Sequence, residues 1–159
     1  MADFNLDQQD IVLLRHTWSN IQSKSKNGYR DFCNRLFANL IVSNPPLKKL
    51  FNSERVARQH ANYMGEVISF TLEYLDDRRT LNECTSRFLK ENPDLYRLGI
   101  HYIEPLGVSF IQTLHQVLPK TKLTPQLEGS WVKVYLQLVN NILRCSDSEE
   151  TDSQSLISV

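Results

Sequence analysis

One apolar stripe constrains this chain more than any other feature. Val56, His60, Tyr63, Met64, Val67, Ile68, Thr71, Leu72 and Leu75 recur three or four residues apart, the spacing that brings side chains onto one face of an α-helix. A helix with such a face must bury it against other helices or a sheet. Nowhere does the chain show period-2 alternation flanked by turn residues, so the partners are expected to be helices.

The rest of the sequence has the same character. Asp7 is placed to cap a helix with Ile11, Leu14, Trp18 and Ile21 inward. The polar run from Lys24 to Gly28 separates it from a second, carrying Tyr29, Phe32, Cys33, Leu36, Phe37, Leu40 and Ile41. Asn44-Pro45-Pro46 must end that helix, because proline lacks an N–H and disfavours α conformation in the residue before it. Leu47, Leu50 and Phe51 read as a short helical turn.

After the central stripe, Asp76-Asp77-Arg78-Arg79 closes that helix and Thr80 to Glu83 reads as a capping box opening the next, with Leu81, Cys84, Phe88 and Leu89 inward. Asn92-Pro93 is expected to stop it. Ile103, Leu106, Phe110, Leu114 and Val117 mark a further helix, with Pro105 tolerable only in its first turn. Thr124-Pro125 opens the last, with Trp131, Tyr135, Leu138, Val139 and Ile142 inward. The expectation is an all-α single domain of about seven helices over residues 8–145, after an N-terminal extension at 1–7 and before a polar, disordered tail at 146–159.

Composition narrows the function. Eighteen basic and eighteen acidic side chains cancel, which argues against nucleic acid or an anionic membrane as partner. No apolar run is long enough to span a bilayer, and the start has neither a secretory signal pattern nor a myristoylation glycine. Cys33, Cys84 and Cys145 are odd in number and widely spaced, as free thiols in a reducing cytoplasm would be. No nucleophile-and-base set, Gly-rich phosphate loop or carboxylate cluster emerges, so the chain is not expected to be an enzyme. The terminal Ile157-Ser158-Val159 is a weak match to a hydrophobic C-terminal peptide ligand.

His60 is the residue with chemical potential. An imidazole among the apolar positions of a helix is either a metal ligand, or donor to a metal-bound gas, or a core histidine whose nitrogens are satisfied by hydrogen bonds.

The order of these features resembles the globin family across roughly residues 8–145. It comprises the tryptophan of the first helix, Leu36-Phe37 in the second, Asn44 to Phe51 at the proline corner, the His60 helix, and Trp131-Val132-Lys133-Val134-Tyr135 in the last. The flavour is that of invertebrate, nematode-like globins. The resemblance implies haem b and a diatomic gas such as oxygen, for transport, storage or sensing. It makes Phe51 the phenylalanine flat against the haem, Phe37 a distal-pocket residue and His60 the distal histidine. Met64 would then lie over the iron, with Leu98, Ile103 and Leu106 as apolar contacts on the other side.

The family's proximal histidine falls near Asn92, where Asn92-Pro93-Asp94-Leu95 has none, and asparagine or aspartate oxygens are poor haem-iron ligands. His101 is the nearest imidazole, though farther along than the family's spacing. Two outcomes follow from the sequence: His101 serves as proximal ligand after local rearrangement, or the fold persists as a haem-free regulatory or interaction module, its pocket filled by side chains such as Phe37, Tyr63 and Met64. His16 and His115 are expected to face solvent.

Overall fold

In the computed structural model the described residues are 6–24, 26–51, 53–99 and 101–157, with the side chains of residues 95, 98, 99 and 146–157 outside that description. Among them every regular element is helical: α1 Gln8–Ser23, α2 Tyr29–Ser43, a 3₁₀ turn Pro45–Lys49, α3 Glu54–Glu73, α4 Arg78–Glu91, α5 Pro93–Gly99, α6 Ile103–Val117 and α7 Pro125–Ile157. The fold is all-α. No described helix is long and apolar enough to cross a membrane.

Local chemistry sets the boundaries. Asp7 and Asp10 form a reciprocal capping box at the start of α1, the Asp10 N–H donating to Asp7 over 2.8 Å. Gly28 precedes α2 at φ +61°, a region costly for any residue with a Cβ. Asn44 ends α2, with its N–H on the Leu40 carbonyl at 2.9 Å, and the two prolines then tighten the chain into the 3₁₀ turn. Ser53 caps α3 through the Val56 N–H.

Three sequence expectations are corrected here. The helix opening at Thr80 begins instead at Arg78, with Asp77 as cap. The Asp77 carboxylate accepts from both the Thr80 N–H at 3.2 Å and the Thr80 hydroxyl at 2.7 Å, so Thr80 lies inside the first turn that Asp77 caps. Those bonds hold the Asp77 carboxyl below the usual carboxylate range. The inward position expected of Cys84 belongs to Thr85, which is buried while Cys84 is only half-buried. Asn92-Pro93 ends α4 as the sequence predicts, and Pro93 also opens the short helix α5. A proline at the first helical position gives up an N–H that would be unpaired anyway. The backbone of α7 is helical through residue 157, over part of the stretch expected as a tail; the side chains from 146 onward lie outside the described residues.

Packing centres on α2, which lies against α3 and α6. Trp131 is 0% exposed and Trp18 4%, both inward as their stripes require. Trp18 meets Phe32 edge-on at 5.5 Å and donates its indole N–H to Ser69. Gly65 lets α2 come close, since a Cβ there would run into the Tyr29 ring. Arg15 ties α1 to the end of α3, donating to the Leu72 carbonyl at 2.8 Å, the Glu73 carbonyl at 2.9 Å and the Asp76 carboxylate at 3.0 Å. Cys33, Cys84 and Cys145 are free thiols.

Candidate functional site

The stripe of α3 turns His60 into the middle of the domain, where it is 0% exposed. Three aromatic rings enclose it. Phe51, delivered by the proline corner, stands edge-on at 5.2 Å between centroids; Tyr102, just before α6, lies at 5.5 Å; Phe37 of α2 lies at 6.3 Å. Phe37, Phe51 and Tyr102 also touch one another, each pair 5.5 Å apart. These separations are typical of edge-to-face aromatic packing.

One polar contact crosses this cage: His60 Nδ1 and the Tyr102 hydroxyl are 2.5 Å apart. An imidazole nitrogen is a stronger base than a phenolic oxygen, and burial pushes the Tyr102 hydroxyl well above its ordinary range. In the tautomer with the ring proton on Nε2, the hydroxyl donates to Nδ1. That Nε2 has no hydrogen-bond partner. Desolvation lowers the His60 pKa from 6.5 to about 4, so the ring is neutral at physiological pH.

The structure brings Phe37, Phe51 and His60 into one cluster. Met64 is buried beside it and Leu106 is fully enclosed, whereas Ile103 is half-buried against the core. His101 is exposed on the turn before α6, its neighbour Tyr102 having taken the inward direction. The Leu98 side chain lies outside the described residues. His16 and His115 are exposed, His115 3.2 Å from Glu128.

Tyr102 is the participant the sequence reading passed over. Its signal was the continuation backwards of the α6 stripe, Tyr102, Leu106, Phe110 and Leu114, four residues apart. Its position as the residue preceding α6, without a side-chain cap, suits a side chain committed to the interior.

Space around His60 is distributed unevenly. Near Tyr102, but not against His60, the residues Tyr63, Met64, Tyr96, Ile103, Ile142 and the exposed Leu143 border a small dent of about 20 Å³. On the outer side a cleft of about 520 Å³ opens between α3, α4 and α5. Its walls include His60, Tyr63 and Phe88, and also Glu66, Glu91 and Asp94. No described group of three His, Cys, Asp or Glu side chains is placed to hold a metal ion. No protein-family model matches the chain, and no curated protein matches its sequence.

Proposed function

We propose that this chain is a globin-like helical domain without haem, a binding or regulatory module in which side chains occupy the place of the cofactor. The observation that carries this reading is the Tyr102 hydroxyl on His60 Nδ1, inside the cage closed by Phe37 and Phe51. An iron porphyrin is a poor fit to these residues. No described imidazole stands across from His60, with His101 turned to solvent. The cleft beside His60 is walled by Glu66, Glu91 and Asp94, the wrong sign for a porphyrin's own carboxylates.

A second reading has one observation in its favour. His60 Nε2 is buried and unpaired, the kind of exception that calls for an explanation and that a gas on haem iron would supply. Titrating the purified protein with haemin and following the Soret band separates the two. The haem-free reading expects no saturable Soret shift, and equal spectra for wild type, His60→Ala and His101→Ala. Tight stoichiometric binding lost in His101→Ala establishes the haem reading with His101 as proximal ligand. Binding that persists in His101→Ala and is lost in His60→Ala makes His60 the iron ligand.

A further inference from the structure

We propose that the outward face shared by α6 and α7 pairs with the same face of a second copy of this chain, the two α6 helices running antiparallel across a two-fold axis. Pairing of this kind needs no haem and is independent of what the His60 cage does.

Spacing builds the face. On α6, Glu104, Val108, Ile111 and His115 follow one another at intervals of four, three and four residues, and on α7 Val132, Leu136, Val139 and Leu143 do the same. The core takes other residues, Leu106, Phe110 and Leu114 from α6 and Trp131, Val134 and Leu138 from α7. Both stripes are left outside, with Val108 75% exposed and Leu136 48%. Gly107 brings the two helices close, since a Cβ there would meet the Tyr135 ring. That ring lies under the groove between them, its hydroxyl donating to the Ile103 carbonyl. The groove holds about 560 Å³, and Glu104 is the one charged side chain in its described lining. A continuous apolar surface with charge only at its border has the anatomy of a protein–protein contact.

The ends of the α6 stripe say what covers it. Glu104 stands at one end, in no ion pair among the described residues, and His115 stands at the other. His115 Nε2 lies 3.2 Å from Glu128, which leaves Nδ1 for a further carboxylate. A two-fold axis crossing α6 between Val108 and Ile111 turns this order end for end. Glu104 then meets the second copy's His115 and Val108 meets its Ile111, each contact occurring twice. A copy of the same helix offers both groups at the matching spacing by construction. Val132 and Leu136 complete the apolar centre in a layer of four helices. A face two helices wide and about four turns long is small for a stable interface, so the dimer should dissociate in the micromolar range.

Sedimentation equilibrium of the full-length protein at physiological salt, from micromolar to millimolar concentration, should show a reversible monomer–dimer equilibrium. Val108→Lys/Leu136→Lys alters two exposed positions. It should keep the circular dichroism spectrum of wild type and weaken the dimer at least tenfold. Exchanging charges tests the register. Glu104→Lys sets like charge against the second copy's His115, and His115→Glu/Glu128→Gln sets like charge against its Glu104 without crowding α7. Each should dimerise at least threefold more weakly than wild type. An equimolar mixture of the two should form a heterodimer at least as tight as the wild-type dimer, because both end contacts are then between opposite partners. A wild type that stays monomeric throughout leaves the face to a different protein and overturns the proposal. So does a dimer that tolerates the two lysines, or a mixture that associates no better than its components.

Discussion

The His60–Tyr102 contact can be weighed by a double-mutant cycle. Tyr102→Phe keeps the ring in the cage and removes only the hydroxyl. His60 Nδ1 then joins Nε2 as a buried nitrogen without a partner. A neutral hydrogen bond is worth about 0.5–1.5 kcal/mol net, and stranding one buried partner costs about 1–3 kcal/mol. The expected loss for Tyr102→Phe is therefore about 2 kcal/mol. His60→Leu reverses the situation, stranding the Tyr102 hydroxyl, at about 1–2 kcal/mol. The double variant strands nothing and puts two apolar side chains of similar size where the pair was. It should lie near wild type, giving a coupling energy of about 3–4 kcal/mol, at or just above the top of the range for residues in contact. Urea unfolding, followed by tryptophan fluorescence and far-ultraviolet circular dichroism, measures all four proteins. Additivity of the two single losses to within about 0.5 kcal/mol would refute a hydrogen bond that matters energetically.

Three further outcomes are expected. Because the folded pKa of His60 is depressed to about 4 from 6.5, the unfolded chain takes up a proton first. This contribution is fully present above pH 6.5 and is lost as the pH falls towards 4, to a total of about 3 kcal/mol. Stability measured against pH should lose this slope in His60→Leu, and an unchanged slope would show that the imidazole is not desolvated. Trp131→Ala should cost about 3–5 kcal/mol in the same unfolding assay, as truncation of a fully enclosed aromatic does, and a loss below about 1 kcal/mol would contradict its burial. Gly65→Ala drives a methyl group into the Tyr29 ring and should cost about 1–3 kcal/mol, relieved when combined with Tyr29→Ala; a neutral single variant would mean that the ring moves aside freely.

What could be read from the sequence was decided by periodicity. The stripes of α1, α2, α3, α6 and α7 placed inward residues such as Leu14, Leu36, Val67, Leu106 and Trp131 on the buried side, because helical spacing alone determines which residues share a face. Boundaries were legible where one residue dominates, as at Asp7 and at Asn44 before the prolines. They were misread where two capping groups compete, as with Asp77 and Thr80, since a carboxylate accepts two hydrogen bonds from the threonine that a bare motif makes the acceptor. The proline after Asn92 reads as a stop and is one, while the same ring constraint also starts α5, which a stop signal does not announce. At the site, Phe37, Phe51 and His60 were legible as a group. Tyr102 was legible only as the backward continuation of the α6 stripe; its bond to His60 joins residues 42 apart, which no local pattern encodes.

The Arg15 clamp makes the two ends of α3 unequal in how they come to be ordered. The N-terminal end is capped by Ser53, its immediate neighbour, through a bond between residues three apart. The C-terminal carbonyls of Leu72 and Glu73 are instead covered by a side chain 57 and 58 residues earlier. A local cap forms as soon as the helix does, whereas a distant one must wait until α1 has docked. Amides in the last turn of α3 should thus exchange with solvent at the rate set by α1 detachment, while those near Ser53 report only the opening of α3 itself. Losing the first helix would then loosen the far end of the His60 helix ahead of the cage at its centre.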